Sequence, residues 1–108
     1  MSLQQAKVYL ITRTDLPLGQ RAVQLAHAIR EWSERYPAED RVWYQTSNTL
    51  ALLEVPDELA LQRLLKRANL HGIPAAPFQE PDRDNELTAV AFGPTAKKLC
   101  RRLPLAFA

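Results

Sequence analysis

Lys7-Val8-Tyr9-Leu10-Ile11-Thr12 runs into Arg13-Thr14-Asp15-Leu16-Pro17-Leu18-Gly19, and the change between the two halves decides the fold class. The first half is β-branched, aromatic and almost wholly apolar, which suits a strand covered on both faces. The second half gathers turn residues. Beyond it Ala22, Leu25, Ala26, Ile29, Trp32 and Tyr36 recur at three- and four-residue spacing and predict one apolar stripe on a helix over about residues 20–36. Pro37 ends that helix, because its ring cannot continue the hydrogen-bond ladder. A buried strand, a loop and an amphipathic helix make the opening of an α/β layered domain.

Reading outward, residues 48–55 form a second strand centred on Leu50-Ala51-Leu52-Leu53. Pro56-Asp57-Glu58 opens a second helix, with proline tolerated in the first turn and acids complementing the positive helix end. Leu61, Leu64, Leu65 and Ala68 are its buried stripe, Gly72 terminates it and Pro74 follows. Residues 73–79 contain a third strand that Pro74 and Pro77 make irregular or confine to an edge. Glu80 to Glu86 is an acidic loop, residues 88–92 a fourth strand, and residues 95–102 a short helix. Ala38-Glu39-Asp40-Arg41 reads as a loop. The helix between the second and third strands implies a right-handed parallel crossover. The short link from third to fourth is compatible with antiparallel neighbours. The sheet is thus mainly parallel or mixed.

The 108 residues are one domain's worth, with 46% hydrophobic and 24% charged residues, as in a globular chain. This length excludes a (β/α)₈ barrel or a dinucleotide-binding domain with a second domain. The single cysteine, Cys100, excludes an intramolecular disulfide and a cysteine-rich zinc site, and favours a reducing compartment. No run approaches a membrane span, and Met1 to Gln5 lacks a signal-peptide pattern, so a cytoplasmic location is expected. The net charge of +2 conceals two opposed blocks. Residues 80–86 sum to −3, whereas Lys97, Lys98, Arg101 and Arg102 give the tail +4.

The candidate chemistry is dispersed. No P-loop or dinucleotide fingerprint is present, and none of Ser2, Ser33 and Ser47 sits in a nucleophile turn. His27 and His71 have no ligand-spaced companions, and Pro81 interrupts any regular Mg²⁺ loop, so no metal and no cofactor are expected. Arg13 and Asp15 follow the first strand, where open α/β sheets bind ligands. Arg13 has the planar fork for a phosphate, with Asp15 to orient it; the plainer reading is a surface ion pair. Gln20, Gln24, His27 and Glu31 share one helix face opposite the apolar stripe, which is either solvated or runs along a partner. Glu80 or Asp82 offers a carboxylate to act as base or orient water, against a merely solubilising loop. Lys97 and Lys98 either attract RNA phosphates or complement a helix end. Trp32 belongs to the core. Trp43 and Tyr44 are rim or core residues with stacking on a base as the alternative, and Cys100 is a small buried hydrophobe.

In order along the chain, these pieces resemble the type II peptidyl-tRNA hydrolases. Val8–Thr12, then Arg13-Thr14-Asp15-Leu16, Gly19 and Gln24-Leu25-Ala26-His27-Ala28 resemble that family's strand, R-x-D-L-x-M-G-K-G-K and A-A-Q-x-x-H-A. Pro56-Asp57-Glu58, Gly72-Ile73-Pro74, Gln79-Glu80 and Thr88-Ala89-Val90-Ala91-Phe92-Gly93-Pro94 resemble its P-D-E, G-L-P, Q-D and T-V-L-G-I-G-P. The likeness spans about residues 7–103. It implies a single α/β domain with a four-stranded mixed sheet flanked by helices, and cofactor-free hydrolysis of the ester joining a peptide to tRNA.

It also implies a set of site residues. Asp15, Gln20, His27, Glu80, Asp82 and Thr88 fall at catalytic positions, and Arg13, Arg21 and Gln24 at substrate- or RNA-binding ones; Lys97 and Lys98 join the RNA-binding set on the charge of the tail alone. Two departures lie beside the presumed site. The lysine-bearing G-K-G-K is shortened to Gly19-Gln20-Arg21, so that Gln20 stands where the family's catalytic lysine falls. The Q-D-A-G-R-T-Q loop is replaced by Gln79-Glu80-Pro81-Asp82-Arg83-Asp84-Asn85, and the connection is shorter. The expected partner is peptidyl-tRNA or a tRNA-like ligand, with no membrane, and a homodimer is left open. The alternatives are a catalytically silent tRNA- or protein-binding module on the same scaffold, and a hydrolase of a different small ester or amide.

Overall fold

A computed structural model describes residues 6–108; Met1 to Gln5, and with them Ser2 and the signal-peptide reading, lie outside the described residues. Its elements are β1 (Lys7–Arg13), α1 (Leu18–Arg35), α2 (Pro37–Thr46), β2 (Thr49–Val55), α3 (Glu58–Leu70), β3 (Ala75–Glu80), β4 (Glu86–Phe92) and α4 (Lys97–Cys100). Single turns of 3₁₀ helix at Pro81–Arg83 and Pro94–Ala96 flank β4. The four strands form one mixed sheet in the order β2-β1-β4-β3. β1 pairs parallel with β2 and antiparallel with β4, which pairs antiparallel with β3. β2 and β3 therefore run the same way, as the helical connection implies, but on opposite edges of the sheet rather than as neighbours.

The apolar run of β1 divides between two cores by the alternation of a strand. Val8 and Leu10 pack with Leu25, Ala28 and Trp32 of α1 and with Trp43 of α2. Tyr9 and Ile11 pack with Leu61, Leu64 and Ala68 of α3 and with Val90 and Phe92. Cys100 belongs to this second core, and burial pushes its thiol pKa up to about 12, as befits an inert hydrophobe. The edge position of β3 accommodates Pro77. The outer edge of β2 is covered by the C-terminal residues: the Glu54 amide donates to the Pro104 carbonyl (3.0 Å) and the Ala106 amide to the Leu52 carbonyl (2.8 Å).

Three local readings are corrected. Residues 38–41 are helical, because Pro37 both stops α1 and occupies the first turn of α2, where its missing N–H costs nothing. The buried stripe of α1 is Gln24, Leu25, Ala28 and Trp32, whereas Ala22 and Ala26 are exposed. Gln24 is therefore not on a solvated face but fully buried against the sheet. Finally, β3 reaches Glu80 and β4 begins at Glu86, so the two ends of the acidic loop are strand and only residues 81–85 form the turn between them.

Candidate active site

One end of the sheet collects the C-termini of β1, β2 and β3, the start of β4 and the start of α1. Here the register of β4 against β3 slips: Phe78 pairs with Ala89 and Gln79 with Leu87, leaving Thr88 as the unpaired residue of a bulge. At the bulge, Thr88 joins two polar contacts. Its carbonyl accepts from the Thr12 hydroxyl (2.9 Å), and its own hydroxyl donates to the Gln24 side-chain oxygen (2.6 Å). The Gln24 amide nitrogen then donates to Oε1 of Glu80 (3.0 Å). A buried glutamine survives at this position because both ends of its amide are satisfied.

Glu80 also receives the Asp82 backbone N–H through its other oxygen (3.5 Å). The Gln24 hydrogen bond, helped by that N–H and by the charge of His27, holds the Glu80 carboxyl below the usual glutamate range. His27 lies one turn along α1 from Gln24 and stacks on Phe78 with ring centroids 4.5 Å apart. An ionised carboxylate aimed by a buried amide thus sits beside an exposed imidazole steadied by a ring. That pairing suits moving a proton to and from water.

On the β1 strand end, Arg13 is buried, and four of its five N–H groups are engaged. Nε and Nη2 grip the two oxygens of Asp15 at 2.9 Å each, and Nη1 reaches Glu86 (2.9 Å) and the Leu87 carbonyl (3.1 Å). This bidentate contact keeps the Asp15 carboxyl below its usual range. The phosphate grip expected of Arg13 is replaced by a brace between β1, its loop and β4. Arg21 likewise points inward, donating to the carbonyls of Leu16 (2.6 Å) and Thr14 (2.5 Å).

Of the expected site residues, the structure brings together Gln24, His27, Glu80, Asp82 and Thr88, with Asp15, Arg13, Arg21 and Gln20 at the same sheet end. Gln20 and Asp82 are exposed at the rim. Lys97 and Lys98 lie beyond the end of β4, at the opposite end of the sheet, and do not join the site. Sequence reasoning passed over Thr12, Phe78 and the bracing contact of Glu86. Thr12 carried a signal, as a polar residue on the face β1 shares with Val8 and Leu10. The bulge that makes Thr12 matter carried none.

Fold and site together define an α/β domain with polar residues gathered at the strand ends of a four-stranded mixed sheet. The family model of peptidyl-tRNA hydrolase PTH2 matches residues 6–104, and the chain belongs to that family. A solved structure of a protein of unknown function from Agrobacterium tumefaciens strain C58 is similar at 14% identity, with a TM-score of 0.67 over 93% of this chain and 96% of that one. At that identity the likeness concerns the fold. No curated protein matches. Among the described residues, no helix is long and apolar enough to cross a membrane.

Proposed function

We propose that the chain hydrolyses the ester between a peptide and the 3′ end of tRNA. The observation that carries this reading is the chain Thr88–Gln24–Glu80, which fixes an ionised carboxylate beside His27. Family membership supports it. In the proposed reaction a water oxygen adds to the ester carbonyl carbon while its proton passes to His27. The same proton then goes to the departing 3′ oxygen as the C–O bond breaks. Phe78 steadies the imidazole and Glu80 orients the water. Thr88 and Gln24 are positioning residues, and Asp15 positions Arg13, which braces the strand ends. Gln20 and Asp82 face the substrate from the rim; an amide can hold the ester but cannot relay a proton. The reading implies the cytoplasm, where translation makes the substrate.

One observation favours a second reading, a binding module without turnover. The arginines beside the site, Arg13, Arg21 and Arg83, all engage the chain's own acceptors, and Gln20 is neutral. The deciding experiment is release of peptide from purified peptidyl-tRNA with enzyme in excess, for wild type and Gln20→Lys. Cleavage by wild type above a heat-killed control is expected. Cleavage gained only by the variant would establish the silent module instead.

A further inference from the structure

The far end of the sheet carries a groove of about 750 Å³ between the end of α3 and the start of α4. Arg67 and His71 line one wall, Lys97 and Lys98 the other, and no acidic residue lines it. A second groove of about 680 Å³ continues from it over the shared Gly72-Ile73-Pro74 floor and adds Lys66. All five basic side chains belong to exposed residues. None takes part in an ion pair among the described residues.

The ordinary explanation for cations near a helix end is capping of its carbonyls, and here that role is already filled. Gly72, at φ 66°, places its own N–H on the Asn69 carbonyl (3.2 Å) and the Ile73 N–H on the Ala68 carbonyl (2.9 Å). His71 N–H closes on Arg67 and Ala68. Backbone donors therefore satisfy the last carbonyls of α3, and Arg67 is free to face the groove. Lys97 and Lys98 lie in the single turn of α4, which carries no acidic residue to pair with them.

We propose that this groove binds the phosphodiester backbone of RNA, holding the body of a tRNA away from the candidate active site. The cations converge from two separate elements, and the acidic face lies at the other end of the sheet. An anionic polymer is thus attracted at one end and repelled at the other. The RNA assignment rests on the proposed function, but its test does not use turnover.

The experiment measures binding of deacylated tRNA across a salt series. Wild type is compared with Arg67→Ala/Lys97→Ala/Lys98→Ala and with the charge-keeping Arg67→Lys/Lys97→Arg/Lys98→Arg. Far-UV circular dichroism checks the fold. Loss of three phosphate contacts is expected to weaken binding on the order of tenfold or more. It should also reduce the slope of log K against log salt by about 2–3. The charge-keeping variant should bind as wild type does. Cleavage of a short 3′-terminal RNA fragment bearing the peptidyl ester should be unchanged in the alanine variant. That arm reads the active site alone, so its failure in wild type tells against the hydrolase and not against the groove. Equal tRNA affinity and slope for the alanine variant would overturn the proposal. So would absence of tRNA binding by wild type.

Discussion

The two ends of the sheet use charge in opposite ways. At the β1 C-terminal end, Arg13 and Arg21 are turned inward onto Asp15, Glu86 and loop carbonyls, and the outward-facing groups are carboxylates. At the other end the cations face solvent, and backbone contacts close the helix terminus. The difference shows that a cation's position in sequence does not give its job. An arginine beside acceptors of its own chain builds structure, while one whose neighbours are already satisfied is available to a ligand.

The largest effect should come from the site end. Glu80→Ala is expected to lower single-turnover cleavage by about 10²–10³-fold, because the water that gives its proton to His27 loses the carboxylate that orients it. Its stability in urea should also fall by about 1–3 kcal/mol, since the buried Gln24 amide loses its acceptor. A stability loss with unchanged cleavage would reverse the roles assigned to Glu80 and Arg13. Arg13→Ala should cost about 3 kcal/mol in urea unfolding, because it leaves Asp15, Glu86 and the Leu87 carbonyl without their donor. A loss under about 1 kcal/mol would mean that the brace is an ordinary surface pair.

At the far end the sensitive point is packing rather than charge. A Cβ on Gly93 would collide with Cη2 of the buried Trp32, so Gly93→Ala should cost about 2 kcal/mol by overpacking. Thermal unfolding would read it, and an unchanged midpoint would show that the indole has room to shift. The smallest effect is in pH. Asp15 has a native pKa below its unfolded value near 3.8. Its contribution to stability is thus present above pH ~4 and is lost as pH falls through the native value. Asp15→Asn should flatten stability against pH on that acid side; an unchanged acid limb would remove the pairing from the account.

The framework was legible in the sequence where one physical signal acted alone. The β-branched run gave β1, proline and acids marked the start of α3, and Gly72 marked its end. Pro37 was legible as a stop but not as a start, since the same ring serves both ends of adjoining helices. Within the candidate site, His27 stood out on a polar helix face and Glu80 in an acidic run, Thr88 came only with the likeness to a family pattern, and Gln24 was placed on the wrong face. A glutamine at helical spacing reads as solvated unless partners for both ends of its amide are known. Those partners come from β3 and β4, brought within reach by a bulge that depends on strand pairing far along the chain. The inward turn of Arg13 was hidden for the same reason, because Glu86 and Leu87 are distant in sequence.

The central claim is that the carboxylate held by Gln24 beside His27 cleaves peptidyl-tRNA. Single-turnover cleavage by wild type and Glu80→Ala, with enzyme in excess over substrate, tests it most directly. The account predicts measurable cleavage by wild type and a fall of about 10²–10³-fold in the variant. Equal rates in both, or no cleavage by wild type above a heat-killed control, would contradict it.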